Sequence, residues 1–175
     1  KAYAVNLTLQ TNSGSLARTG YTFSGWNTQA NGLGTDYAAG AIYSANAVVT
    51  LFAKWTVNSY TVTFDKQSGS GGSDNVTATF AGAMPTATAP TRAGYTFGGY
   101  YAAVNGGGTQ YYTAAMASAA NWTIADNTIL FAQWIINSYT ITFDSDGGSV
   151  VTTITQNFGT TVTAPAAPTR SGSTV

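Results

Sequence analysis

The heptapeptide SYTVTFD at 59–65 returns as SYTITFD at 138–144, and 138 − 59 is 79. FAKW at 52–55 returns as FAQW at 131–134, again 79 apart, and APTR at 89–92 returns at 167–170, 78 apart. RTGYTFSGW at 18–26 returns as RAGYTFGGY at 92–100, 74 apart. Four landmarks in one order, with spacing changes confined to Gly-, Ala- and Asn-rich stretches, mark a tandem array. This limits the fold more than any other feature, because each unit must close within about eighty residues and pack against its neighbours. The expected division is a partial repeat over 1–57, a complete repeat over 58–136 and a second partial repeat over 137–175. The stretch RSGSTV at 170–175 starts the RxGYTF landmark and stops inside it, so the chain reads as a window on a longer array.

Inside the complete repeat the periodicity is two. Tyr60, Val62 and Phe64 alternate with Thr61 and Thr63, and Val76, Ala78 and Phe80 alternate with Thr77 and Thr79. Alternation of this kind places one set on a buried sheet face. The intervening SGSGGSD is a turn, so the pair reads as a hairpin. A Pro-containing crossing follows, then a third strand opened by Tyr95 and Phe97, a Gly-rich loop, and a fourth strand carrying Leu130 and Trp134. Tyr60, Val62, Phe64, Phe80, Tyr95, Phe97, Leu130 and Trp134 are the expected core. Glu is absent, so strong helix formers are scarce, and TAAMASAA at 113–120 is the only helix candidate. The expected class is mainly β, α+β at most. The first copy has too few residues before Arg18 for two ordinary strands.

Composition narrows function by exclusion. Six Lys+Arg balance six Asp+Glu, which is too little clustered positive charge for a nucleic-acid surface. No apolar run is long enough to insert in a bilayer. With no His, Cys or Glu, the usual bases, thiol nucleophiles and soft metal ligands are missing, so the expectation is a non-enzyme without cofactor or metal. Asp144 and Asp146 in DSDGG start like a calcium loop. The bidentate acid such a loop needs further along is lacking, so the reading is a turn capped by its own Asp.

The landmarks Tyr60–Asp65, Pro90–Phe97, and Leu130 with Trp134, with their counterparts around Arg18–Trp26 and Tyr139–Asp144, together resemble the internalin-type B-repeat, or Listeria–Bacteroides repeat. The resemblance covers nearly all of the chain. It implies small β-grasp-like modules strung along bacterial cell-surface or secreted proteins, as stalks or adhesive segments. Tyr100 stands where the first copy has Trp26, and the 111–126 insert is longer than usual.

Several residues invite a functional role. Arg18, Arg92 and Arg170 hold one position in three copies, each expected to reach loop carbonyls or stack on an aromatic ring. Gly20, Gly94 and Gly172 follow them, where a positive φ or close backbone approach is expected. Trp55 and Trp134 share a strand face with Leu51 and Leu130 and read as core. Tyr111, Tyr112 and Trp122 lie in the insert and are the candidates for exposed, glycan-stacking aromatics. Lys54 raises the Lys–Asn isopeptide cross-link known in bacterial surface modules. Gln133 at the equivalent position excludes such a bond in every unit and leaves only a single one in the first copy, which sequence does not argue for. The sequons at Asn6, Asn75 and Asn121 are chance matches in a chain rich in Asn and Thr.

The leading expectation is an extracellular stalk or spacer whose partners are neighbouring repeats of the same or an identical chain. A glycan or surface protein bound by an adhesive module is the second. The third is a filament subunit completed by strand addition. The hairpin at 137–175 is expected to need cover from strands elsewhere, because Tyr139, Ile141 and Phe143 form an open apolar face.

Overall fold

The computed structural model describes residues 3–172. The fold is mainly β, with a single 3-10 turn at Val104–Gly106 as the helical element among the described residues. The first repeat supplies β1 (Leu7–Thr8), β2 (Tyr21–Asn27), β3 (Asp36–Ala38), β4 (Ile42–Tyr43) and β5 (Phe52–Val57). The middle repeat supplies β6 (Ser59–Asp65), β7 (Asn75–Thr79), β8 (Tyr95–Ala103), β9 (Gly107–Tyr112) and β10 (Thr128–Ile136). β11 (Ser138–Ile141) and β12 (Ile154–Asn157) form the last hairpin. In the middle repeat β6 pairs with β7, and β8 pairs with β10 and with β9.

The chain divides into two compact units. One comprises residues 1–63, 75–85 and 118–129, the other 64–74, 86–117 and 130–175.

In the first unit, β2 is the centre of a three-stranded sheet in the order β3-β2-β5, while β1 pairs with β4. Among the described residues the segment before Arg18 therefore holds one two-residue strand, with turns and loop around it. Leu9 and Tyr43 are buried, and Phe23 packs edge-on against Trp26 and Trp55. The β6–β7 hairpin has the expected register, with Tyr60 opposite Ala78 and Val62 opposite Val76. Val62 and Ala78 are fully buried, and Met84 and Trp122 join them.

In the second unit β8 pairs with both β10 and β9. Phe64 stacks on Tyr100 at 4.3 Å between centroids and meets Tyr112 edge-on, while Leu130 and Ala132 are buried. The phenylalanine–tyrosine stacking shows why Tyr100 replaces Trp26 without loss of packing: an aromatic ring is what that position requires.

Three expectations are corrected. Strand β9 runs through what sequence reads as a Gly-rich loop, because glycines give no alternation to detect, although the strand pairs with β8 through two register shifts. Residues 113–120 form no helix: Met116 has φ +60 and donates to Thr113 O, and the Thr113 hydroxyl accepts from Ala117 N. Eight residues are too few to offset helix nucleation. Finally, the core is narrower than expected. Val62, Phe64 and Leu130 are buried, but Tyr60, Phe80, Tyr95, Phe97 and Trp134 are half-buried.

A bulge recurs in both main sheets. Gly25 faces Lys54 while Phe23 faces Trp55, leaving Ser24 extra, and Gly98 is extra in the same way between Gly99 and Phe97. The bulge glycines Gly25 and Gly99 have φ +141 and +122, and a Cβ on either would overlap a carbonyl of the neighbouring strand. A bulge bends and twists its strand, which accounts for the glycine before Trp26 and Tyr100.

Candidate functional site

The expected motif residues assemble into a joint that occurs twice, once inside each unit. In the first unit the backbone N–H of Asn58 donates to Gly20 O, and Asn58 O accepts from Phe80 N. The Thr22 hydroxyl donates to Asn58 Oδ1, and Tyr21 packs edge-on against Phe80 at 5.9 Å. In the second unit the same partners recur: Asn137 N to Gly94 O, Phe158 N to Asn137 O, the Thr96 hydroxyl to Asn137 Oδ1, and Tyr95 against Phe158 at 6.3 Å. Gly20 and Gly94 have φ +77 and +75, and each faces the Phe ring where a side chain would stand. Their position shows both anticipated reasons for glycine, a left-handed backbone and a close approach. Gly172 has φ +78 and open space above it.

Arg18 and Arg92 each stack on an aromatic ring. The guanidinium of Arg18 lies 3.9 Å from the centroid of Tyr21, and that of Arg92 lies 4.0 Å from Tyr95 and donates to Gln67 O. Arg170 is followed by Ser173 where the other copies have Tyr, so this stacking partner is absent from its sequence. Trp55 and Trp134 are half-buried, and Trp134 Nε1 donates to Lys66 O. A polar cleft of about 510 Å³ lies in the second unit, lined by Asp65, Gln67, Arg92, Tyr95 and Gln133 among others.

The insert aromatics are corrected from exposed to buried. Tyr111, Tyr112 and Trp122 are at most 2 % exposed and present no flat face to a sugar. Sequence reasoning placed them outside because the insert lacks periodicity. Two of them close β9, and the third sits where Ala81 and Gly82 bond to the backbone of residue 122. Burial pushes the Tyr112 phenol up to about 12. Burial, then the charges of Asp65 and Asp74, pushes Tyr100 up to about 12 as well.

Asp146 N donates to Asp144 Oδ1, and Gln67 N donates to Asp65 Oδ1 in the preceding copy, so each is an Asp-capped turn. No group of three or more metal-ligating side chains occurs among the described residues. No helix among them is long and apolar enough to cross a membrane.

A polar constellation missed by sequence lies in the first repeat. Asn27 on β2 is 1 % exposed, and its Nδ2 donates to Asp36 Oδ1 at 2.6 Å and to Gly32 O and Gly34 O. Its Oδ1 accepts from Gln29 N at 2.7 Å and Gly34 N at 3.1 Å. Lys54 on β5 pairs with the other oxygen of Asp36. The Lys54 hydrogen bond, then that of Asn27, holds the Asp36 carboxyl below the usual carboxylate range. The joint spacing of residues 27, 36 and 54 carries no motif, and only the sheet brings them together.

These features define a tandem β-sheet repeat protein with a stereotyped joint between successive repeats. The Listeria–Bacteroides repeat domain model matches residues 3–54, 60–133 and 139–175, and the chain belongs to that family. It is similar to a protein of Evansella cellulosilytica named, on inference, as a Gly-rich membrane protein, with 32% identity over 176 residues. That match covers 95% of this chain and 20% of the relative. A second protein of the same organism, named on inference as a membrane protein, is 37% identical over 71% of this chain and 18% of its own length. Internalin H of Listeria monocytogenes is 34% identical over 67% of this chain and 20% of its own length. The chain thus spans about a fifth of the length of these curated relatives. No solved structure matches it.

Proposed function

We propose that this segment is a non-enzymatic spacer in a bacterial surface or secreted protein, holding other parts of that protein away from the cell. The observation that carries this reading is the joint. Gly20, Asn58 and Phe80 make the same contacts as Gly94, Asn137 and Phe158, so successive repeats are connected by the same hydrogen bonds and ring contacts. A linker of unpaired residues would permit free swivelling, whereas Asn58 and Asn137 are hydrogen-bonded on both sides. The match to repeat-bearing relatives, Internalin H among them, supports a surface location. Small-angle X-ray scattering on recombinant chains of increasing repeat number tests it. The maximum dimension is expected to grow by a constant increment per repeat, and a compact particle of slowly growing radius would refute it.

A second reading, assembly by strand addition, is favoured by one feature of the first unit. A cleft of about 600 Å³ is lined by Tyr3, Leu7, Tyr43, Val48, Val49 and Leu51. The middle repeat buries Leu130, the counterpart of Leu51, completely. A hairpin edge from an identical chain would cover such a cleft. Light scattering over a range of concentrations decides it: a mass above one chain supports assembly, and a concentration-independent monomer removes it.

A further inference from the structure

We propose that the first repeat forms an intramolecular isopeptide bond between Lys54 Nζ and Asn27 Cγ, with Asp36 passing the proton. Three strands bring the groups together. Asn27 faces Asp36 across the β2–β3 pair, and Lys54 faces Gly25 across the β2–β5 pair. Residues two apart on a strand share a sheet face, and diagonal neighbours lie within reach of a long side chain. Gly25 opposite Lys54 has no side chain to block the approach.

The hydrogen bonds distribute the roles. One Asp36 oxygen holds the nucleophile, Lys54, and the other holds the amide nitrogen that must leave, Asn27 Nδ2. The orientation of the carboxamide follows from its partners. Two backbone N–H groups must face an acceptor, and two carbonyls with a carboxylate must face a donor. The N–H groups of Gln29 and Gly34 polarise the carbonyl and are aimed where negative charge develops during attack. A buried asparagine with its electrophilic carbon so held differs from an asparagine that only caps a loop, because the cation beside it shares its carboxylate.

The three positions also change together. In the middle repeat the same register positions are Tyr101, Gln110 and Gln133, which contain no amine, no carboxylate and no asparagine. A salt bridge needed only for sheet pairing would not require Asn27 to change with Lys54 and Asp36.

The chemistry balances without a cofactor. Lys54 gives a proton to Asp36, and the neutral amine adds to Asn27 Cγ. The oxyanion rests on Gln29 N and Gly34 N. Asp36 returns the proton to Nδ2, the Cγ–Nδ2 bond breaks, and the leaving ammonia takes the second proton from the new amide nitrogen and departs as ammonium. One amide replaces another with no oxidation or reduction. Lys54 and Asp36 are 38 % and 52 % exposed at the side chain and form an ion pair. Attack on an amide carbon needs an uncharged amine, so alkaline conditions favour the bond.

High-resolution intact mass spectrometry of residues 1–175, before and after alkaline incubation, tests the proposal. The expected species is lighter than the sequence by one ammonia, and fragmentation joins the peptides bearing Asn27 and Lys54. Lys54→Arg and Asp36→Ala, with unchanged circular dichroism, are each expected to restore the full mass. An unmodified mass after alkaline incubation would overturn the proposal, as would loss of water in place of ammonia. So would an ammonia loss that persists in Lys54→Arg, which would mean succinimide closure at an asparagine.

Discussion

The ring of Phe158 occupies the space that a side chain on Gly94 would need, just as the ring of Phe80 does above Gly20. A left-handed backbone and an aromatic lid are thus combined at one residue. The RxGYTF landmark supplies the glycine, and the phenylalanine directly follows the second strand of the next hairpin. Each joint is therefore written by two sequence segments that lie far apart in the chain.

Replacing Gly94 by Ala is expected to cost about 2–4 kcal/mol, from a left-handed Cβ and from overpacking against Phe158. Gly159→Ala has nearly the same φ, +76, but open space around it. It should lose only the backbone part, about 1–2 kcal/mol. Urea denaturation of the two variants measures the difference, and equal losses would mean that the ring contact is unimportant.

Phe158→Ala should make Gly94→Ala less harmful. Removing the ring leaves only the conformational cost, so the double variant should be more stable than the sum of the single losses predicts by about 1 kcal/mol or more. A double-mutant cycle by chemical denaturation gives the coupling directly.

Arg92→Lys keeps the charge but loses the plane that stacks on Tyr95 and donates to Gln67 O. A loss of about 0.5–1 kcal/mol is expected. Arg170→Lys, whose sequence has Ser173 in place of the tyrosine, should be nearly silent. Thermal melts of both variants compare them.

The phenols of Tyr100 and Tyr112 are each raised from 10.0 to about 12. Between these values the unfolded chain releases protons that the folded chain retains, so stability falls as pH rises through the window and is fully present below it. Denaturation midpoints should be flat up to about pH 10 and decline above it, and ultraviolet titration should show late-ionising tyrosines. Tyr100→Phe should flatten part of that decline. Because Tyr100 Oη is buried without a hydrogen-bond partner, the substitution should also leave stability at neutral pH unchanged or raise it by up to about 1 kcal/mol.

Sequence by itself determined the strands that alternate, the Asp-capped turns and the glycines needing a positive φ, because these follow from neighbours a few residues away. Val62 and Phe64 fell on the buried face for that reason, and Asp144 capped its own turn. The repeat likewise gave the family. Tertiary structure decided the rest. Tyr111, Tyr112 and Trp122 look free in an aperiodic insert, yet they are buried because β9 and the bonds of residue 122 fold that insert onto the core. Phe80 reads only as the last position of an alternating strand, and the role of Phe80 and Phe158 as lids over Gly20 and Gly94 depends on a backbone contact many residues away. Asn27, Asp36 and Lys54 share no local pattern. They meet because β2 pairs with both β3 and β5, and strand pairing fixes which distant side chains come within reach.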